Sequence, residues 1–349
     1  MVDLPGLRLD ALRAWVRTAG VGEHVDRAEV VAGGRSNLTY TLDLDGERVV
    51  LRRPPLGHVL ATAHDMTREH TVQAALEGVV PVPRMLALCE DPEVLGAPFY
   101  LMEHVDGVVV RTRAQVDALG DGGLAAAGTA LVATLADLHR VDPDAVGLGG
   151  FGRPDGFLAR QVRRWSAQLD ASRSRGLPEV DRLRDRLAGS VPADSDRPHR
   201  RGVVHGDFRL DNAVLDPTGR SVRAVLDWEM ATLGDPLADV GLLLTYSGAL
   251  GGGPNPISEA MSPALGWPRG AAIVRGYADR AGLDDDDLTA LTWCTAFAHL
   301  KLAVICEGIH YRFTQGKTVG EGFDRIGALV TPLAARGLHL LDDPRSLED

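Results

Sequence analysis

The sequence predicts an α+β protein in two parts, a small strand-rich N-terminal part and a larger helical C-terminal part. Three observations carry this. The run YTLDLDGERVVLRR alternates apolar and polar residues and is broken by Asp45-Gly46, a hairpin signal. After Gly107 the apolar residues recur at helical spacing instead, as in Leu124, Leu131, Leu135 and Leu138. The 349 residues are also enough for two cores.

In chain order, residues 8–19 read as a helix with Leu9, Leu12 and Val16 on one face. The hairpin follows, and Pro54-Pro55 ends its second strand because proline cannot donate to a central ladder. A helix over 64–77 puts Glu69, Val72, Gln73 and Leu76 near one face. Two more strands flank a turn before Gly107, with 99–102 in the second. Helices are expected near 124–139, 157–171, 178–188, 269–281, 286–308 and 320–335, with short strands at VVH, AVLD and VRAVLDW. The glycine-rich stretch 251–266 reads as a surface loop. The divisions this suggests are 1–28 as a helical extension, 29–106 as the strand-rich lobe and 107–349 as the helical lobe.

Composition is that of a globular protein, 45% hydrophobic and 24% charged. The net charge of −11 disfavours nucleic acid and anionic membranes as partners. Cys89, Cys294 and Cys306 are too sparse for a disulfide framework and read as free thiols. No apolar run reaches the roughly 18 residues of a membrane span, and the N-terminus lacks a signal peptide's apolar core. A cytoplasmic location is the expectation.

The chemistry concentrates in HGDFRLDN, 205–212, which lies between two apolar patches. A strand, polar loop, strand reading places Asp207 and Asn212 in one connection, and Asp227 follows the next strand in VLDWE. A carboxylate and an amide oxygen are hard ligands suited to Mg²⁺, and a further carboxylate could orient a hydroxyl and take its proton. Singly, each residue could cap a turn or a helix; their combined order points to a site. His205 reads as a buttress for the loop.

These stretches, VVHGDFRLDNAVLD and VLDWEMATLGDPLADVG, resemble the aminoglycoside phosphotransferase-like (choline-kinase-like) family, small-molecule relatives of protein kinases. The resemblance implies a bilobal protein-kinase-like fold, with the first lobe binding nucleotide. It makes Asp207 the catalytic aspartate, Asn212 and Asp227 the Mg²⁺ ligands, and Asp239 the acid that braces the catalytic loop. Glu229 and Asp235 become candidates for outer positions around the metal. GGRSN, with Gly33, Gly34, Ser36 and Asn37, sits where the phosphate-covering loop belongs, although it is not GxGxxG. Glu69 stands where the family keeps an acid that pairs with a phosphate-binding lysine. That lysine is absent. Arg52 and Arg53 occupy the strand instead, and alternation aligns Arg52, with Val50, to the lysine position. Arg53 should face the other way and matter little. FYLMEHVDG resembles the segment joining the lobes, where backbone groups around Glu103 and Val105 would meet the base. The VLRRPP form looks like the branch that includes kinase-like domains fused to acyl-CoA dehydrogenases, among them enzymes acting on hydroxyacyl-CoA.

The implied activity is Mg²⁺-dependent transfer of the γ-phosphoryl group of ATP, or GTP, to a small hydroxyl-bearing acceptor. Arg209 could face phosphate or a substrate anion, or pair locally. Arg163 and Arg164 could line the acceptor side or form a solvated face. These basic residues point to an anionic acceptor, whereas the acidic net charge would suit an aminoglycoside. The missing lysine also admits a nucleotide-binding pseudokinase. Monomer and homodimer both remain open.

Overall fold

The computed structural model describes residues 4–31, 37–56, 64–193, 198–248, 258–317 and 323–347. It is bilobal, with two compact units: Met1–Gly107 together with Arg223–Ala231, and Val108–Val222 together with Thr232–Asp349.

The first unit carries α1 (Leu9–Thr18), β1 (Val25–Val30), β2 (Leu38–Leu44), β3 (Glu47–Arg53), α2 (Met66–Leu76), β4 (Met85–Cys89), α3 (Pro92–Leu95) and β5 (Phe99–Glu103). The strands form one antiparallel sheet in the order β1-β2-β3-β5-β4. The Asp45-Gly46 hairpin closes with Leu44 opposite Glu47, and both turn residues have positive φ. Alternation splits β3 between two faces. Val49 and Leu51 join Leu12 and Val16 of α1 in one core; Val50 joins Met66, Tyr100 and Met102 in the other. Helix α2 starts where the Asp65 side chain accepts from the Arg68 N–H at 3.0 Å, and it buries Met66, Glu69, Val72, Gln73 and Leu76 along one face.

The second unit is helix-rich. It holds α4 (Arg113–Ala118), α5 (Gly123–His139), α6 (Phe157–Ser172), α7 (Pro178–Gly189), β6 (Gly202–Val204) and β7 (Ala213–Leu215); β8 (Val222–Val225) leads back into the first unit. After β9 (Thr232–Gly234) come α8 (Leu237–Gly248), α9 (Gly270–Ala281), α10 (Leu291–Thr314), α11 (Phe323–Ile326) and α12 (Val330–Asp342). Strands β6 and β9 pair antiparallel, Val203 opposite Leu233. Helix α10 is buried around most of its girth and packs against α6, α7, α8 and α12. The approach of α8 to α10 depends on Gly241, where a Cβ would stand 2.7 Å from the Cys294 and Thr295 backbone.

The three cysteines are buried and unpaired. Among the described residues no helix is long and apolar enough to cross a membrane. Residues 251–257 of the glycine-rich stretch lie outside the described residues. In 258–266 the expected surface loop is corrected, since Ser258, Ala260, Met261 and Ser262 are buried and Pro263–Leu265 forms a helical turn.

Candidate active site

In the first unit the site begins with the face that β3 turns to α2. Arg52 lies on that face, and its Nε stands 2.9 Å from Glu69 Oε2. The same guanidinium contacts the Asp227 carboxylate through Nη2 and has Glu229 at 3.9 Å. Glu69 is 1% exposed. It also accepts hydrogen bonds from the Tyr100 hydroxyl at 2.9 Å and from Asn37 Nδ2 at 3.0 Å. Asn37 reaches Glu229 as well, at 3.1 Å, and His64 Nδ1 lies 3.5 Å from Glu229. One guanidinium thus faces three carboxylates. Burial pushes the Glu69 carboxyl up to about 7; the Arg52 charge opposes this, and Asp227 adds to it.

Asp227 owes its position to the turn after β8. Its φ is +67°, a left-handed conformation that costs free energy for a residue with a Cβ. The turn is held by Trp228, 2% exposed, whose indole N–H donates to the Val225 carbonyl at 3.0 Å.

Of the other residues expected here, Gly33, Gly34 and Ser36 lie outside the described residues. Glu103 ends β5 with its side chain exposed and accepting from the Arg84 N–H at 3.2 Å; Val105 is half-buried two residues on. Arg53 faces away from Arg52, but it does not idle there. It is 4% exposed and donates to the carbonyls of Gly6 and, at 2.9 Å, Leu95. Beyond the expectation of a mild effect on turnover, it has a structural place: the buried guanidinium holds three backbone carbonyls, the third that of Pro54 at 3.2 Å.

In the second unit β6 delivers the chain into the 205–212 loop. Gly206 has φ +85°, which favours glycine. Its N–H and that of His205 donate to Asp239, at 2.8 and 2.6 Å. Asp239 is 1% exposed at the start of α8, and His139 Nε2 stands 3.4 Å away. Burial would raise the Asp239 carboxyl, but these partners hold it below the usual range. The His205 ring is buried and its Nδ1 accepts from the Asp207 N–H at 3.2 Å.

The Asp207 carboxylate is 24% exposed. Oδ1 accepts from the Tyr246 hydroxyl at 2.7 Å and Oδ2 from Asn212 Nδ2 at 3.0 Å. Asn212 Nδ2 also donates to the Asp207 carbonyl at 2.9 Å. Arg209 lies across the Tyr246 ring, 5.3 Å from its centre, with Asp207 and Asp211 at 3.5 and 3.4 Å. Asp235 is turned elsewhere: it pairs with Arg200 at 2.8 Å and caps α8 through the Leu237 N–H at 3.1 Å.

Tyr100, Tyr246 and Lys301 escaped the sequence reading. Tyr246 follows Asp239 by seven residues, a helical spacing that places both on one face, but α8 itself is too uniformly apolar to show a period. Lys301 Nζ donates to the Gly206 carbonyl; its signal was a lone charge within an apolar run.

A strand-rich unit with an Arg–Glu pair, and a helical unit with a braced Asp-x₄-Asn loop, define a kinase-like phosphotransferase fold. The chain belongs to the phosphotransferase enzyme family, whose model matches residues 27–273. It is 34% identical over 317 residues to acyl-CoA dehydrogenase family member 11 of Gallus gallus, covering 88% of this chain and 40% of that protein. It is 35% identical over 308 residues to acyl-CoA dehydrogenase family member 10 of Mus musculus, covering 86% of this chain and 28% of that protein. The chain therefore spans well under half the length of these relatives. Among solved structures, a Ralstonia eutropha protein provisionally described as an aminoglycoside phosphotransferase matches with a TM-score of 0.79 and 33% identity, over 95% of this chain and 98% of that one. A thermostable mutant of the aminoglycoside phosphotransferase APH(4)-Ia, in complex with ADP and hygromycin B, shares the fold at a TM-score of 0.61 and 17% identity, over 95% and 98% of the two chains.

Proposed function

We propose that this chain is a Mg²⁺-dependent kinase that moves the γ-phosphoryl group of ATP or GTP to the hydroxyl of a small anionic acceptor, of the hydroxyacyl-CoA class. The observation that carries the reading is Asp207: a partly exposed carboxylate, hydrogen-bonded at both oxygens, on a loop whose backbone is held by buried charge. A residue so held is suited to orienting an acceptor hydroxyl and taking its proton. The acceptor oxygen bonds to the γ-phosphorus as the bond to the β–γ bridging oxygen breaks. The nucleoside diphosphate leaves with that electron pair, and the proton passes to Asp207.

Asn212 and Asp227 are the proposed Mg²⁺ ligands. The donor chemistry fits: Asn212 spends its amide N–H groups on Asp207, which leaves its oxygen for a hard cation, and Asp227 offers a carboxylate that is 29% exposed. Among the described residues no group of three or more His, Cys, Asp or Glu could hold a metal. Bound there, Mg²⁺ would offset charge on the donor phosphates. Arg52, oriented by Glu69, is the proposed contact to those phosphates, and Asn37 lies beside it. The pseudokinase reading rested on the missing lysine, and the Arg52–Glu69 ion pair favours the enzyme instead.

The hydroxyacyl-CoA class rests on the two acyl-CoA dehydrogenase family relatives; Arg209, which could have faced a substrate anion, pairs locally with Asp207 and Asp211 instead. The test is the purified chain with Mg²⁺ and ATP or GTP against hydroxyacyl-CoA thioesters, aminoglycosides and amino alcohols, read by mass spectrometry. A phosphate gained by the thioesters is expected. Phosphorylation of aminoglycosides alone would overturn the acceptor class, and no transfer to any acceptor would overturn the reading.

A further inference from the structure

Lys301 and Lys317 are the chain's lysines; every other non-histidine basic side chain is arginine. Lys317 is exposed, whereas Lys301 is 7% exposed on α10. A buried ammonium costs free energy unless it is given partners. Those of Lys301 lie at the loop that carries Asp207. Nζ donates to the Gly206 carbonyl and stands 5.3 Å from the centre of the Trp165 ring. Burial lowers its pKa; Asp207 and Asp239 act to keep it charged, and Arg164 and Arg209 act against it.

The opposite edge of the same turn belongs to Asp239, which accepts from the N–H groups of His205 and Gly206. The backbone around Gly206 is therefore held by two opposite charges. The carboxylate takes the N–H ends of the peptide dipoles and the ammonium takes a carbonyl end. Gly206 takes the left-handed conformation of this turn, φ +85°, and the ammonium donates to its carbonyl from α10. A single carbonyl in a closed space also suits a point charge with rotatable donors better than a planar fork.

We infer that Lys301 is a positioning residue, the cationic half of a two-sided clamp with Asp239, which fixes the Gly206–Asp207 peptide and so the aim of the Asp207 carboxylate. From the proposed function this takes only the role of Asp207; the clamp itself is a property of the loop.

The experiment compares wild type with Lys301→Met, which keeps the chain length and removes the charge, Lys301→Gln, which keeps a donor, and Lys301→Arg, which keeps the charge. Hydrogen exchange of the full ligand-free chain is followed over 202–212. Phosphate release from Mg²⁺-ATP, with water as acceptor, is followed in parallel. Lys301→Met should lose about tenfold in loop protection while α9 and α12 hold theirs. Its kcat should fall on the order of a hundredfold, with KM for ATP within about threefold. Lys301→Arg should recover part of both, and Lys301→Gln less. Wild-type loop protection in Lys301→Met overturns the inference. So does protection lost evenly across the second unit, which marks a mere core residue, or a Lys301→Arg no better than Lys301→Gln. If Lys301→Met does not fold, the Gln–Arg comparison decides. If wild type releases no phosphate, the kinase reading loses support while loop exchange still judges the clamp.

Discussion

Arg52 and Arg53 are adjacent, chemically identical and assigned to different work by strand alternation alone. The register was legible because Val50 and Arg52 share a parity. The anchoring of Arg53 was not, since besides the neighbouring Pro54 carbonyl its partners are carbonyls of Gly6 and Leu95, distant in sequence and silent as side chains. The two arginines should therefore dissociate on mutation. Arg52→Ala should weaken nucleotide binding by roughly tenfold or more, the scale of a lost charge-assisted hydrogen bond. Arg52→Lys should restore only part, lacking the fork that meets Glu69 and Asp227 together. Arg53→Ala should leave nucleotide binding intact and cost on the order of 1–3 kcal/mol of stability. Calorimetric titration beside urea unfolding checks both; a binding defect in Arg53→Ala with none in Arg52→Ala would reverse the assignment. Glu69 adds a pH signature. The folded protein holds its proton up to about pH 7, whereas the ordinary value is 4.5. Between those values the folded state binds more protons than the unfolded chain. The stability this group contributes is thus present below pH 4.5 and lost as pH rises toward 7. Glu69→Gln cannot titrate, so wild type should lose ground to it, by on the order of 1–3 kcal/mol, between pH 5 and pH 8. Equal urea midpoint differences at the two pH values would refute this.

At the scale of elements, the hairpin, α2 and most long helices announce themselves through period and punctuation, and the structure places them within a few residues of expectation. Strand β1, the short helix α4, strand β9 and helix α8 did not, and the helix expected at 320–335 is corrected to the short α11 (Phe323–Ile326), a helical turn and α12, which runs on to Asp342. The α8 sequence, LADVGLLLTYSG, is apolar almost throughout, because it is buried on most sides, and a helix without a polar face has no amphipathic signal. That gap hid part of the site, since α8 brings Asp239 to the loop backbone and Tyr246 to Asp207. The proposed catalytic loop was legible as a local motif, but its supports come from α5, α8 and α10, far from it along the chain. The placement of α8 rests on Gly241 against the α10 backbone. Gly241→Ala should force the helices apart and cost roughly 1–3 kcal/mol, the scale of core overpacking. It should also slow turnover more than it weakens nucleotide binding, because α8 carries supports of Asp207 and not of Arg52. A wild-type unfolding midpoint in Gly241→Ala would show that the contact can relax without cost.

For the whole molecule, the chain order and the compact units divide the proposed work differently. Asp227 is close in sequence to Asp207, yet it belongs to the first unit, where Arg52 is its ion-pair partner. Asp207, Asn212 and Tyr246 belong to the second. Asp207→Asn should therefore collapse turnover while nucleotide affinity stays within about threefold, because its oxygens are committed to Tyr246 and Asn212. Asp227→Ala should behave as a donor-side variant. Removing its carboxylate takes away a proposed metal ligand and also releases Arg52 from an anionic competitor for phosphate. Without Mg²⁺, Asp227→Ala should bind ATP at least as tightly as wild type. Adding Mg²⁺ should then tighten wild type and leave the variant nearly unchanged. Calorimetric ATP titrations in a chelator and across a Mg²⁺ series separate these effects, with circular dichroism confirming the fold. An equal Mg²⁺ gain in both proteins would remove Asp227 from the metal. An Asp227→Ala that binds ATP more weakly in chelator would instead mean that the Arg52–Asp227 pair holds Arg52 in its phosphate-binding position rather than competing for it.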